Sequence, residues 1–440
     1  MKIKKVQHNR AKPAQSLTLP KSPTSMLINF TGLAGALIAL VFIRAYGKRF
    51  GINNIQATFS CLIGYGLPII ILEFIFLKTY KNKSTNIDFS KKRNPNISRT
   101  AIKYFGFIFT LLFIAFIYWL FKEYRGSFYN IYYHMLKIVI PILMIAAIPY
   151  FYIIDQYMIK PKDGFWHMGM IFVNWKKVDK AYVWQHILGW FVKGFFLPLM
   201  FIYFSGKIWY LRTFSLSKIF LTYKDFWDFT YNMIFTIDLM VVTVGYMLTI
   251  RLFDSHIRTT EPTLLGWFVA LECYQPFWSF SSNNYFAYDT GKPWGYWFAV
   301  NTPSYIAWGT MIIILLSIYL WATMSFGIRF SNLTNRGILT NGAYRFCKHP
   351  AYLSKNISWW MVSMPFMIVS TPLEALRHSL LLLGVNIFYF LRARTEERHL
   401  SSDPVYVQYG NYMNKHSMFA WVGRLVPILK FKQGRMFNIE

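Results

Sequence analysis

The sequence predicts an all-α, polytopic helical membrane protein. Of its 440 residues, 55% are hydrophobic and 20% aromatic, whereas only 15% are charged. This is too little charge for the surface of a water-soluble protein of this length. The apolar residues form runs of about 20, the length at which an α-helix crosses a bilayer. The strict apolar–polar alternation typical of a membrane β-barrel is not seen in the sequence.

Ten apolar runs predict about ten transmembrane helices, divided between two regions. We predict a disordered basic tail (1–25) and a transmembrane scaffold of about eight helices (26–324). The carboxy-terminal region (325–440) has denser polar motifs, and its last two spans form a helical hairpin across residues 370–372. The predicted spans are 26–46, 55–77, 103–121, 133–154, 183–204, 231–251, 263–280, 296–324, 356–370 and 373–391.

The net charge of +29, from 47 Lys and Arg against 18 Asp and Glu, lies mostly in the tail and in short loops. Residues 1–25 carry six Lys or Arg, and residues 78–102 carry seven. Because cationic loops stay on the cytoplasmic side, we expect both termini and the region 325–440 to be cytoplasmic. The cations would meet anionic lipid headgroups. A nucleic-acid partner is not expected, since such binding needs a basic face on a soluble domain.

The cysteines and histidines predict no metal site. The three cysteines (Cys61, Cys273 and Cys347) are far apart and odd in number, which indicates neither a disulfide framework nor a zinc site. The nine histidines do not cluster along the sequence. The sequence also contains neither a Gly-rich dinucleotide-binding loop nor a phosphate-binding loop with its lysine.

Two polar stretches of the carboxy-terminal region predict a pocket. The first is GAYRFCKHPAYLSKN (342–356), in which Pro350 suits the first position of a helix. The free N–H groups of that helix start, beside His349, suit a carboxylate or phosphate. The second stretch is RARTEERH (392–399), where Arg392 and Glu396, four residues apart, can pair on a helix surface. The hairpin brings the start of one helix against the end of the other, and the two clusters therefore meet.

These two stretches, followed by YVQYGNYMNKH (406–416), resemble the isoprenylcysteine carboxyl methyltransferase family and its relatives. The resemblance covers residues 325–420, about a quarter of the chain, and it depends on the order and spacing of both halves together. Members are integral membrane enzymes that use S-adenosylmethionine. The resemblance implies two sets of cofactor-binding residues. Gly342, Tyr344, His349, Pro350 and Tyr352 would cradle the cofactor, and Glu396 and Glu397 would accept hydrogen bonds from its ribose hydroxyls or amino group.

The same resemblance makes Arg392 and Tyr389 the candidate catalytic residues. Tyr389 stands, three residues before Arg392, where protein-modifying members carry an arginine that orients the substrate carboxylate. Lys348 and Ser354 also depart from the family pattern, in which Arg and Gly are usual. The resemblance therefore implies methyl transfer to a lipid or lipid-linked acceptor that enters from the bilayer, without identifying that acceptor.

Two other classes remain open from the sequence. An NADPH-dependent reductase of the sterol reductase type also has about ten spans and a similar carboxy-terminal fold, although its hairpin usually carries H-x-N-Y rather than HPAY. A transporter would spread polar residues and helix breaks over several central spans.

Three acids fall inside predicted spans, Glu73, Asp238 and Glu272. They would line a substrate tunnel, carry protons, or sit protonated and hydrogen-bonded within the bundle.

Overall fold

The computed structural model describes residues 18–432, which form a helical protein with one two-residue strand pair. Strand β1 (Thr259–Thr260) pairs antiparallel with β2 (Thr334–Asn335). The helices, in chain order, are α1 (Met26–Tyr46), α2 (Asn54–Leu72), α3 (Ile97–Leu120), α4 (Asn130–Tyr157), α5 (Gly164–Val173), α6 (Lys180–Thr213), α7 (Tyr223–Met247), α8 (Leu264–Leu271), α9 (Phe277–Asn284), α10 (Trp294–Trp297), α11 (Pro303–Met324), α12 (Pro350–Ser363), α13 (Pro372–Leu400), α14 (Pro404–His416) and α15 (Ala420–Leu425).

Within residues 18–432, eight helices are long and apolar enough to cross a membrane, namely α1–α4, α6, α7, α11 and α13. This confirms a multi-pass, all-α membrane protein. In α6 and α7 more than half of the apolar stretch is buried, whereas at most a third is buried in the other six. Helices α6 and α7 therefore lie nearest the centre of the bundle.

Two of the ten predicted spans are interrupted or short in the structure. The predicted span 263–280 is divided between α8 and α9, with Pro276 directly before the second helix. Helix α12 has 14 residues, or about 21 Å at 1.5 Å per residue, which is less than the roughly 30 Å of the hydrocarbon core. It ends where Met364 adopts a left-handed φ of 43°, and Pro365 follows. Proline cannot donate the backbone hydrogen bond that would continue the helix.

Buried arginines tie the scaffold to the loop that follows α11, which we call the junction loop (residues 325–341). The guanidinium of Arg329 contacts both carboxylate oxygens of Glu73 in the scaffold, at 2.7 and 2.8 Å. Both side chains are only 1% exposed. Arg336 donates hydrogen bonds to five backbone carbonyls, those of Gly245, Leu248, Ser255, Ile328 and Phe330. These contacts hold the junction loop against the end of α7.

The described part of the amino-terminal tail is packed against the carboxy-terminal region, which corrects the prediction of disorder for residues 18–25. Thr24 donates a hydrogen bond to the carbonyl of Ser325 (2.8 Å), and its own carbonyl accepts one from Asn341. The hydroxyl of Thr340 donates to the carbonyl of Pro20 (2.7 Å). Polar side chains of the junction loop thus satisfy the backbone of this segment. The remainder of the predicted tail, residues 1–17, lies outside the described residues.

Gly342 is required by the turn that leads into the first polar stretch. Its φ is +54°, and a Cβ there would lie 2.1 Å from Oγ of Ser325. We expect Gly342→Ala to destabilise the protein by about 1–3 kcal/mol, the range for strained backbone positions. Thermal unfolding in detergent measures the effect. Gly206→Ala is the control, because a Cβ at Gly206 in α6 meets nothing within 4 Å. Equal melting temperatures for the two variants would contradict the prediction.

Candidate functional site

A cavity lies between α8, α11, α12, α13 and the junction loop. It encloses about 960 Å³ of empty space, part of which is open to solvent. Six of the residues predicted from the sequence line it: Tyr344, His349, Tyr352, Tyr389, Arg392 and Glu396. They come from α12, α13 and the turn before α12, so that the two polar stretches do meet in the folded protein.

Side-chain contacts join the two stretches directly. The hydroxyl of Tyr352 donates a hydrogen bond to Oε2 of Glu396 (2.7 Å). The ring of His349 stacks on that of Tyr352, with centroids 5.5 Å apart and planes 3° apart. Removal from water raises the pKa of the Tyr352 phenol well above its usual range, and the neighbouring Glu396 carboxylate acts in the same direction. Tyr352 therefore stays protonated and remains a hydrogen-bond donor at neutral pH.

Glu397 does not line the cavity, which corrects its assignment as a direct ligand contact. Its carboxylate contacts two cations and a histidine: Oε1 lies 2.6 Å from Nζ of Lys348 and 3.2 Å from Nε2 of His349, and Oε2 lies 2.6 Å from Nη1 of Arg394. Only 2% of the side chain is exposed. Since both oxygens have partners within the protein, Glu397 anchors His349. Lys348 is likewise a partner of Glu397 and not a lipid-facing cation.

Gly342 and Pro350 also lie outside the cavity lining, and their part is to shape the backbone. Gly342 provides the left-handed turn described above. Pro350 is the first residue of α12 and is buried. The absence of an N–H group on proline has no cost at this position, because the first helical N–H has no partner within the helix. Together the two residues direct Tyr344, His349 and Tyr352 towards the cavity.

Arg392 is the most unusual charge in the cavity wall. Its guanidinium lies over three tyrosine rings, at 5.5 Å from the centroid of Tyr274, 5.2 Å from that of Tyr352 and 5.8 Å from that of Tyr389. It donates one hydrogen bond, from Nη2 to Oδ1 of Asn332 (2.6 Å). No carboxylate within residues 18–432 forms an ion pair with it, and the predicted pairing with Glu396 is not present.

The side chain of Arg392 is only 7% exposed, yet a guanidinium has five N–H donors. A buried cation without an anionic partner is costly, and the surrounding rings compensate only part of that cost. The arrangement therefore leaves donors of Arg392 available to an anionic group in the cavity.

Several residues of the cavity wall were not predicted from the sequence. They are contributed by α8, α11 and the segments on either side of the strand pair, and they include Glu261, Tyr274, Tyr319 and Asn332. Asn332 links Tyr274 of this wall to the buried Tyr246, since its amide donates to the hydroxyls of Tyr246 (2.9 Å) and Tyr274 (3.1 Å). None of these residues belongs to a recognisable motif. One sequence signal was available, for Asn332: the concentration of Asn and Arg in the junction loop could have marked that loop as part of a polar site.

The three acids within predicted spans have different surroundings. Glu73 is the partner of Arg329 and is not among the lining residues. Asp238 accepts a hydrogen bond from the hydroxyl of Tyr319 (2.8 Å), and Tyr319 lines the cavity. Glu272 is not among the lining residues, and its buried Oε1 has no partner among the described residues. A tunnel lined by all three acids is therefore not formed.

Comparisons with known proteins return no match: no family model fits the chain, and neither a curated protein nor a solved structure is similar to it. The residues of the cavity therefore carry the functional argument.

Proposed function

We propose that this protein is an integral membrane methyltransferase that uses S-adenosylmethionine and acts on a lipid or lipid-linked acceptor. The observation that carries the proposal is the composition of the cavity wall. Arg392, which pairs with no carboxylate of the described residues, shares the cavity with the carboxylate of Glu396 and with a group of tyrosine rings.

The cavity residues fit the chemistry of that cofactor. S-adenosylmethionine carries one carboxylate, two cationic centres and a ribose with two hydroxyls. A guanidinium suits the carboxylate, and Glu396 suits the hydroxyls or the ammonium group. Tyrosine faces attract cations such as a sulfonium.

The cofactor supplies an electrophilic methyl group, and the protein contributes alignment and exclusion of water. Tyr352 holds one oxygen of Glu396, and Asn332 holds the guanidinium of Arg392, so that both charges are oriented before a ligand binds. Such preorganisation lowers the entropic cost of bringing two reactants together. Helices α11 and α13, which border the cavity, are candidate membrane spans, and a hydrophobic acceptor would enter from the bilayer beside them.

We also propose that the cavity opens to the cytoplasm. The described part of the amino-terminal tail is hydrogen-bonded to both ends of the junction loop, which lines the cavity, and we therefore expect the tail and the cavity opening on the same side of the membrane. The cationic loops favour the cytoplasm for that side. A cytoplasmic mouth would give access to S-adenosylmethionine or NADPH.

One observation favours the reductase as a second candidate. A hydrogen bond joins Tyr319, which lines the cavity, to the buried Asp238 behind it and so forms a phenol–carboxyl pair. Such a pair would deliver a proton to a substrate reduced by hydride transfer. Against this, two carboxylates in the lining, Glu261 and Glu396, are unfavourable for the phosphates of NADPH.

Calorimetric titration of purified protein with S-adenosylmethionine, and separately with NADPH, tests the proposal. We expect the methyl donor to bind and Glu396→Gln to weaken its binding about tenfold or more, since a hydrogen bond to a charged group contributes roughly 1.5–3 kcal/mol. Glu374→Gln is the matched control: Glu374 lies in the exposed first turn of α13 and should not affect binding. Binding of NADPH alone would reject the methyltransferase in favour of the reductase.

A further inference from the structure

Glu261, which follows strand β1, lies in the cavity wall and has a carboxylate oxygen that no described residue satisfies. The side chain is 2% exposed and lies in the cavity wall. Its Oε1 accepts hydrogen bonds from the backbone N–H and the hydroxyl of Thr263. Its Oε2 is buried and without a hydrogen-bond partner among the described residues. An unsatisfied buried carboxylate oxygen lowers stability, and a ligand that donates a hydrogen bond would remove that cost.

The position of Glu261 is held from several directions. Its N–H donates to the carbonyl of Leu333 (2.8 Å), and its carbonyl accepts from the indole of Trp267 (2.8 Å). Gly266 leaves room for the side chain, because a Cβ there would lie 2.4 Å from Cγ of Glu261. The carboxylate is thus preorganised, as expected for a group that binds a ligand and not for a solvated surface acid.

Glu261 belongs to the same end of the cavity as Glu396. Nη2 of Arg398, two residues after Glu396, lies 3.4 Å from Oε1 of Glu261. Nε2 of His399 lies 3.0 Å from the hydroxyl of Thr259 in β1. These contacts place β1 and Glu261 against the last turns of α13. Arg392 lies one helical turn before Glu396, about 6 Å away along the axis of α13. The cavity therefore has an acidic end and a cationic end.

We propose that Glu261 is a ligand-binding carboxylate that, with Glu396, receives the hydrogen-bond donors of the ligand at the acidic end. The inference rests on the proposed function, which makes the donors those of an adenosyl cofactor, its ribose hydroxyls or its ammonium group. The anionic group of the same ligand would lie towards Arg392. Glu261 thus extends the site from the hairpin to the segment that follows α7.

Isothermal titration with S-adenosylmethionine compares the wild type with Glu261→Gln and with Glu272→Gln as the matched control. Glu272 also has a buried carboxylate oxygen without a described partner, but it does not line the cavity. We expect Glu261→Gln to lose about tenfold or more in affinity and Glu272→Gln to bind as the wild type does. Wild-type affinity in Glu261→Gln would overturn the inference. If that variant does not fold, Glu261→Asp keeps the charge but withdraws the carboxylate, and the same criterion applies to it.

Two product-like probes identify the donor. S-adenosylhomocysteine carries both the ribose and the amino acid moiety, whereas methylthioadenosine carries the ribose alone. Weaker binding of both probes to Glu261→Gln assigns the carboxylate to the ribose hydroxyls. Weaker binding of only the first assigns it to the ammonium group, and both results support the inference.

Melting temperatures without ligand separate this inference from the proposed function. If the wild type binds no adenosyl ligand, the methyltransferase proposal fails, and stability then decides the role of Glu261. A ligand-binding carboxylate has an unsatisfied oxygen in the free protein, so that Glu261→Gln should melt at or above the wild-type temperature. A lower melting temperature would show that the acid is structural and would overturn the inference.

Discussion

Replacing Arg329 with leucine is expected to destabilise the protein by about 3–5 kcal/mol, the usual cost of removing one partner from a buried ion pair. The substitution leaves the carboxylate of Glu73 buried at 1% exposure without its cation. It also removes the hydrogen bonds from the guanidinium to the carbonyls of Phe253 and Asp254. Thermal unfolding of the detergent-solubilised protein, followed by circular dichroism, measures the loss.

Two further variants make this test specific. In Glu73→Leu/Arg329→Leu neither charge is left unpaired, and we expect part of the lost stability to return. Lys224→Met breaks the exposed Lys224–Asp228 pair, whose side chains are 55% and 44% exposed. Exposed pairs contribute only about 0–1 kcal/mol. A melting temperature for Arg329→Leu no lower than that of Lys224→Met would refute the structural role of the buried pair.

Replacing Arg392 with leucine is expected to weaken binding of S-adenosylmethionine about 100-fold, because each tenfold change corresponds to about 1.4 kcal/mol and a bidentate charged contact lies at the strong end of the hydrogen-bond range. Arg392→Lys keeps the charge but not the planar fork, and should bind with intermediate affinity. Calorimetry on both variants gives the dissociation constants.

Stability distinguishes a binding role of Arg392 from a structural one. Since no described carboxylate pairs with the guanidinium, Arg392→Leu leaves no buried anion behind. Its melting temperature without ligand should therefore fall much less than that of Arg329→Leu. Unchanged affinity together with a large loss of stability would mean that Arg392 serves only to hold Asn332 and the tyrosine rings, and it would remove the main support for an anion-binding site.

Features that depend on nearby residues were predictable from the sequence. The long apolar runs identify membrane helices because helix formation and burial in lipid are properties of one continuous segment. The meeting of His349 and Tyr352 with Glu396 and Glu397 was also predictable, since a short connection forces two consecutive helices to lie side by side. The chain order of the two polar stretches was sufficient for that inference.

Other features depended on contacts between distant segments. Adjacent residues on a helix point about 100° apart, and packing alone decides that Glu396 faces the cavity whereas Glu397 is surrounded by Lys348, His349 and Arg394. The interruption of the span 263–280 and the short α12 have a different cause: they follow from local breaks at Pro276 and after Met364, which are lost when hydropathy is averaged over a long window.

The sequence by itself thus determined the membrane class, the pairing of α12 with α13 and six of the residues that line the cavity. Only the tertiary structure brought Glu261 and Asn332 to the cavity. They lie 135 and 64 residues before Glu396, and over such separations the sequence alone does not determine which segments come into contact. The packing of β1 and the junction loop against α13 positions them, since Arg398 of α13 contacts Glu261 and Arg392 of α13 donates a hydrogen bond to Asn332.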